Sequence, residues 1–133
     1  MFRMTADNTN LTERFEVRHD HSFASAAGCV SLEEAAAAVS RAIVAAREQG
    51  IKRLCMDARA LQGFSSPNLA DRYFISRGWA MAADRQVELA LVLEPHLLDP
   101  ERFGIVVANN MGMRANVFAN PSEALTWLVS DQP

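Results

Sequence analysis

The apolar run at residues 87–93, V-E-L-A-L-V-L, restricts the fold of this chain more than any other segment. A strand of this composition is covered on both faces, as in a parallel sheet that lies between layers of helices. Glu94, Pro95 and His96 end the strand. The chain has 133 residues, which is enough for one domain of this class with a single core.

Four other segments are predicted to be strands of the same sheet. Residues 14–19 alternate between apolar and polar side chains, which is the pattern of a half-buried strand. Residues 23–29 are predicted to pair with them in antiparallel fashion, through a tight turn at residues 19–21. Residues 51–56 form the third predicted strand and residues 115–118 form the last. The predicted sheet therefore has five strands.

Four helices are predicted from the residues that begin their first turns. The segment Ser31–Glu34 is a capping box, and Gly50 is suited to a left-handed stop at the end of that helix. Ser66–Pro67, Asp99–Pro100 and Asn120–Pro121 each place an N-cap residue before a proline at the first helical position. The resulting order, β-β-α-β-α-β-α-β-α, predicts an α/β fold in which four helices pack on a mixed five-stranded sheet.

Composition and charge exclude several classes of protein. The net charge is -3 and the basic residues are dispersed, so there is no electrostatic footprint for nucleic acid. No apolar stretch approaches the roughly 20 residues that span a bilayer. No N-terminal run resembles a signal peptide, so we expect a cytoplasmic protein. Residues 1–12 lack periodicity and are expected to form a flexible N-terminal tail before a single domain at residues 13–133.

The residues that most often bind metals do not form a metal-binding pattern. Cys29 and Cys55 lie in or beside apolar runs and have no Cys or His partner at the spacing of metal ligands. We predict that both are reduced and packed as small buried residues. His19, Asp20 and His21 include suitable ligand types, but no further ligand is evident, and we interpret them as a polar hairpin turn. No metal and no cofactor is predicted.

The stretch from Asp57 to Tyr73 combines polar and charged side chains where a strand, a loop and a capped helix are predicted to meet. Free amides and the helix dipole favour an anion at a helix N-terminus, so a small anionic ligand is one interpretation. In the other, Ser66 is an ordinary N-cap and Asp57, at the end of its strand, pairs with a nearby arginine. The candidate ligand- or partner-binding residues are Asp57, Arg59, Ser65, Ser66, Asn68, Arg72 and Tyr73.

Catalysis by a serine nucleophile is the alternative that these residues leave open. A triad of Ser66, His96 and Asp57 can be proposed, because it contains the residue types of a nucleophile, a base and an orienting carboxylate. Nothing like the G-x-S-x-G motif surrounds the serine. No catalytic residue is therefore predicted, and a hydrogen bond between His96 and Ser66 would be needed to favour an enzyme.

Three segments resemble bacterial STAS-like domains: G-F-S-S-P-N-L-A-D-R-Y at residues 63–73, residues 90–112 and residues 114–128. The chain resembles the anti-sigma-factor antagonists and, more closely, the SpoIIAA-like group that is also labelled STAS/SEC14-like, over roughly residues 14 to 129. The antagonists have D-S-S-G-L or D-S-T-G-L after the third strand, and a partner kinase phosphorylates the first serine. Matching the leucine to Leu69 places Ser66 at that position. Ser65, Pro67 and Asn68 depart from the motif.

Large apolar side chains give the second predicted helix and the loop before it an unusually wide apolar surface. The resemblance to the SEC14-like group implies a hydrophobic ligand pocket at this surface. A homodimer interface and an ordinary core are the other two interpretations. The residues are Phe64, Leu69, Tyr73, Phe74, Trp79 and Met81.

The sequence therefore predicts a STAS-like binding or regulatory module without catalytic activity. It would engage a protein partner, a second copy of itself, or a small anionic or apolar ligand through the loop Asp57–Ser66 and the helix from Pro67. One alternative is a small hydrolase that uses Ser66 or Asp57 with His96. The other is a regulator of the anti-sigma-antagonist type that is phosphorylated at Ser66.

Overall fold

A computed structural model describes residues 10–130 of the chain. The predicted order of strands and helices is confirmed, with one additional 3-10 turn at Pro95–Leu97. The strands are β1 (Thr12–Val17), β2 (Ser22–Cys29), β3 (Arg53–Gln62), β4 (Glu88–Val92) and β5 (Ala115–Phe118). The helices are α1 (Leu32–Glu48), α2 (Leu69–Ala83), α3 (Phe103–Asn110) and α4 (Pro121–Leu128). Most of the predicted tail at residues 1–12 lies outside the described residues, and Thr12 already belongs to β1.

The five strands form one mixed sheet in the order β1-β2-β3-β4-β5. The β1–β2 hairpin is antiparallel, as predicted, and the other pairs are parallel. Helices α1, α2 and α3 lie on one face, and α4 lies on the other. The apolar run in β4 serves both layers, since Leu89 and Leu91 belong to the larger core while Ala90 and Val92 pack with α4. This confirms that the strand is covered on both faces.

Two helices begin where their capping signals predict. The Ser31 hydroxyl accepts from the amide of Glu34 at 3.1 Å, and the Glu34 carboxylate accepts from the amide of Ser31 at 2.9 Å. Helix α1 ends before Gly50, whose φ of +72° is the left-handed conformation expected there. The Asn120 side chain accepts from the amide of Glu123 at 2.9 Å and caps α4. These caps use contacts within one turn, and a local pattern therefore predicts them well.

The start of α2 corrects the prediction that Ser66 is its N-cap. The helix begins at Leu69, and Asn68 is the N-cap. The Asn68 side chain accepts from the amide of Asp71 at 2.8 Å, and the Asp71 carboxylate accepts from the amide of Asn68 at 3.1 Å. This reciprocal pair satisfies two amides, whereas Ser66 has no acidic residue three positions later. Pro67 therefore precedes the helix.

The start of α3 is a second correction of the same kind. The predicted N-cap, Asp99, does bond to backbone amides, and its carboxylate accepts from Glu101 at 3.0 Å and from Phe103 at 2.9 Å. The α-helix nevertheless begins only at Phe103. Arg102 stands before it with a φ of 57°, which interrupts the helical path after Pro100.

Strand β3 is longer than predicted, and this changes the position of Asp57. The predicted end was Met56, but the strand continues to Gln62. It pairs with β4 as far as Asp57 and with β2 along its length, where an extra residue before Ala60 forms a bulge opposite Ser25–Ala27. Asp57 and Arg59 therefore lie within a strand and not in a loop.

The two cysteines differ in burial. Cys55 is fully buried, as predicted, and burial raises the pKa of its thiol to about 11. Cys29 is exposed, which corrects the prediction that both are buried. It is the last residue of β2, on the part of the sheet that α4 does not cover. Both are free thiols.

Candidate functional site

The candidate residues between Asp57 and Tyr73 do not form one site. Successive residues of β3 point to opposite faces of the sheet. Ala58 lines a cavity on the face that carries α1 to α3, whereas Asp57 and Arg59 line an open polar groove on the other face. The sheet therefore separates Asp57 and Arg59 from the α2 residue Arg72, which lines the cavity.

Asp57 and Arg59 form an ion pair with each other within the groove. The Arg59 guanidinium donates to both carboxylate oxygens at 3.0 and 2.8 Å, and the Arg59 amide donates to Oδ1 at 3.1 Å. Burial disfavours the ionised carboxylate, but hydrogen bonds and charge from Arg59 outweigh it and hold the pKa of Asp57 below its ordinary value. Arg14, Ser25 and Glu94 also line this groove. Asp57 is thus an ion-paired carboxylate, as in the second interpretation of the sequence, with Arg59 as its partner.

Ser65 and Ser66 lie in the exposed loop between β3 and α2. The Ser66 hydroxyl donates to the backbone carbonyl of His96 at 3.4 Å and does not contact the amides at the start of α2. The Asn68 side chain accepts from one of those amides, that of Asp71. Ser66 therefore does not stand at the helix N-terminus, where the predicted anion site was centred. Phosphorylation of the exposed Ser66 stays a prediction.

The triad of Ser66, His96 and Asp57 that the hydrolase alternative needs is not formed in the structure. Ser66 bonds to the backbone of His96, and within residues 10–130 no hydrogen bond joins the His96 imidazole to Ser66. Asp57 lies on the other face of the sheet with its carboxylate held by Arg59.

The His21 ring in the β1–β2 turn bonds to Asp20 at 2.7 Å. Among the described residues, no three His, Cys, Asp or Glu side chains are grouped as metal ligands.

An apolar cavity of about 130 Å³ lies between the helical layer and the sheet. Helix α2 covers it by packing on α1 and α3, and the Trp79 indole nitrogen donates to the Ala36 carbonyl of α1 at 3.0 Å. The walls include Val39 of α1, Ile75 and Trp79 of α2, Ile105 and Ala108 of α3, and Leu89 and Leu91 of β4. Phe64, from the predicted apolar surface, also lines the cavity.

Three charged residues lie at the cavity wall: Arg72 and Asp99 have partners, and Arg102 is exposed. Arg72 donates through Nε to the Pro67 carbonyl at 3.1 Å. The amide of Phe103 lowers the pKa of the Asp99 carboxyl, and the amide of Glu101 and the charge of Arg72 act in the same direction. Arg102 apart, the remaining lining is almost entirely apolar. The apolar part of the cavity is therefore suited to an uncharged ligand.

The opposite face of α2 is exposed and also apolar. Leu69 is 62% exposed, Phe74 64% and Met81 61%, and Tyr73 meets Phe74 edge to face with ring centroids 5.2 Å apart. The predicted apolar set is therefore divided, because Phe64 and Trp79 face the cavity while these four side chains face outward.

Sequence reasoning missed Ile75, Ser76, Ile105 and Ala108 as lining residues. A signal for the first two was present. Residues 72, 75, 76 and 79 recur at the i, i+3, i+4, i+7 spacing of one helix face, so Trp79 places Ser76 on the inner stripe of α2. The α3 residues had no comparable signal, since that helix is apolar on most sides.

Comparisons with known proteins address the fold. No family model and no curated protein sequence matches the chain. Among solved structures, it is similar to an anti-sigma factor antagonist from Mycobacterium paratuberculosis, with 16% identity and a TM-score of 0.58 over 96% of this chain and 100% of that one. It is also similar to an uncharacterized DUF3478-family protein with a SpoIIAA-like fold from Shewanella loihica PV-4, with 17% identity and a TM-score of 0.51 over 94% and 98%.

These likenesses confirm the predicted fold, a SpoIIAA-like α/β fold. At 16–17% identity they concern the fold alone. Within residues 10–130, no helix is both long and apolar enough to cross a membrane.

Proposed function

We propose that this protein is a STAS-type binding module without catalytic activity, and that it holds a small apolar ligand in the cavity beneath α2. The observation that carries the proposal is the cavity itself. Protein interiors are packed like organic crystals, and voids larger than a water molecule are few. An apolar space of about 130 Å³ against the main core is therefore unusual, and it supports a ligand site there.

The size of the cavity defines the size of the ligand. An engineered cavity of about 150 Å³, lined by Leu, Ile and Phe in another protein, binds benzene. A ligand that fills an apolar space of about 130 Å³ removes its own apolar surface from water and gains contacts with the lining. We therefore expect ligands of about six to eight non-hydrogen atoms.

Filling the cavity with a side chain is expected to abolish binding. Ala108 of α3 is 4% exposed and lines the cavity, so Ala108→Leu would place three additional carbon atoms in it. We expect toluene affinity, measured by calorimetric titration, to fall at least about tenfold, while the free energy of unfolding changes by less than about 1.5 kcal/mol. Val106→Leu is the matched control, because Val106 lies on α3 but is 49% exposed. Failure of the wild-type protein to bind toluene would contradict the proposed function.

Engagement of a protein partner is the second candidate function, and the exposed apolar face of α2 favours it. Soluble monomers rarely expose large contiguous apolar patches unless they bind something. A photo-crosslinking amino acid at Phe74, introduced in living cells, is expected to yield a discrete cross-linked species. The same group at Val129, which is 37% exposed on the α4 side, is the control and should yield none. Equal cross-linking from both positions would argue against a partner at α2.

A further inference from the structure

We infer that the ligand of the cavity carries one uncharged hydrogen-bonding group that pairs with Ser76, so that small phenols and alcohols are preferred to hydrocarbons of the same size. This inference rests on the proposed function, because it concerns the same cavity. It adds one hydrogen bond from Ser76 to a site that otherwise selects its ligand by shape and apolar contact.

The first observation is that Ser76 differs from the other buried polar residues. Within residues 10–130 the buried polar or charged residues are Glu13, Ser22 and Ser76. Glu13 is paired with Arg41 at 2.7 Å, and the Ser22 hydroxyl donates to the Arg53 carbonyl at 3.1 Å. The Ser76 side chain, in a residue 7% exposed, makes no hydrogen bond within the same part of the chain. The Ser76 oxygen is not among the fully buried unpaired side-chain atoms of the described residues, where His21 Nε2 stands, so it keeps access to the cavity and is open to a ligand.

The second observation is the position of the hydroxyl between two helices. A helical serine or threonine can satisfy itself on the carbonyl four residues earlier, as Thr126 does on Ser122 at 3.0 Å. Ser76 makes no such bond, and its Oγ lies instead beside Gly104 of α3, where an added Cβ would be 2.7 Å away. Ser76 and Gly104 both line the cavity. The hydroxyl is therefore at the cavity wall, where the absence of a side chain on Gly104 leaves room for it.

The surroundings favour a neutral ligand group. A charged group buried in an apolar space needs an opposite charge or several hydrogen bonds. Of the charged residues in the lining, Arg72 and Asp99 are engaged with the Pro67 carbonyl and with backbone amides, and Arg102 is exposed. A hydroxyl or carbonyl can pair with the Ser76 hydroxyl, which both donates and accepts. A phenol combines such a group with an apolar ring.

The test compares phenol with toluene, which have the same number of non-hydrogen atoms and nearly the same shape. Both affinities are measured by calorimetric titration for the wild-type protein and for Ser76→Ala. We expect phenol affinity to fall about tenfold in the variant, the equivalent of one hydrogen bond, and toluene affinity to stay the same or rise. Ser22→Ala is the control, since it removes another buried hydroxyl and Ser22 does not line the cavity. It should leave both affinities unchanged.

The outcomes separate the inference from the proposed function. Toluene binding together with a phenol affinity that Ser76→Ala does not reduce would overturn the role of Ser76 and leave the apolar cavity as a ligand site. An equal loss of phenol affinity in Ser22→Ala would also overturn it. If neither compound binds the wild-type protein, both the inference and the proposed function are wrong.

Discussion

Replacing Trp79 with alanine is expected to lower the free energy of unfolding by about 3–4 kcal/mol, one of the two largest effects that we predict. The indole lies between α2 and the larger core, lines the cavity, and donates to the Ala36 carbonyl at 3.0 Å. Its removal would extend an existing cavity of about 130 Å³ instead of creating a new one. The neighbouring side chains already border an unfilled space, so we expect them to fill little of the enlarged cavity and to recover little of the lost free energy of unfolding.

Two further variants divide the Trp79 effect into its parts, all measured by urea denaturation. Trp79→Phe keeps most of the buried ring and removes the hydrogen bond, and we expect it to destabilise by about 1 kcal/mol. Phe74→Ala is the matched control in the same helix, because Phe74 is 64% exposed. It should change stability by less than about 0.5 kcal/mol. A cost for Phe74→Ala equal to that of Trp79→Ala would contradict the assignment of the two faces of α2.

The fold could be predicted from the sequence where the signals were local or unambiguous. The apolar run in β4 leaves one arrangement, a strand between two layers, because a half-exposed strand would alternate. The Ser31–Glu34 box and the Asn120–Pro121 pair define their helix starts through contacts within one turn. Element order and strand direction then follow from short connections and right-handed crossovers.

The start of α2 could not be predicted because several cap residues compete there. Ser65, Ser66 and Asn68 are all N-cap types, and Pro67 fits the first position of a helix that begins after Ser66. The decisive feature is Asp71, three residues after Asn68, which completes the reciprocal pair. The same rule that identified Ser31 and Glu34 applies here, with Asn and Asp in place of Ser and Glu.

The candidate residues are divided between two faces of the sheet because the positions of Asp57 and Arg59 depend on where β3 ends. A strand that stopped at Met56 would have placed Asp57 and Arg59 in a loop beside Ser66. The strand instead continues through a bulge, and its pleat turns both side chains toward the face opposite α2. Strand ends are determined by pairing with β2, a contact between residues about 30 apart in sequence. No local pattern records that contact.

The cavity itself was beyond sequence reasoning for a related reason. Its volume is the difference between the space that α1, α2, α3 and the sheet enclose and the side chains that they contribute. Small residues such as Ala36, Ala58 and Gly104 line it, and in the sequence they are indistinguishable from residues that let helices approach closely. The resemblance to a group with hydrophobic ligands implied a pocket, but only the packing shows which side of α2 faces it.

On the other face of the sheet, Arg114→Ala is the second large effect that we predict, about 2–4 kcal/mol of destabilisation. The Arg114 guanidinium donates to Glu88 at 3.3 Å and to the carbonyl of Trp127 at 3.1 Å, and it lies 3.8 Å from the centre of the Trp127 ring. It therefore joins β4 to the last turn of α4, where carbonyls have no partner within the helix. Hydrogen bonds from a charged donor are stronger than those from a neutral donor, and the attraction of the guanidinium to the indole face adds to them.

Arg114→Lys distinguishes the geometry of this group from its charge. Lysine keeps the positive charge near Glu88 but lacks the planar fork that can bond to a carboxylate and a carbonyl while stacking on an indole. We expect it to recover less than half of the stability that Arg114→Ala loses, and we expect the alanine variant to unfold about 10 °C lower in a thermal scan. Full recovery by lysine would show that charge alone stabilises the end of α4. Arg77→Ala, at an exposed position in α2, is the control for loss of an arginine and should leave the melting temperature nearly unchanged.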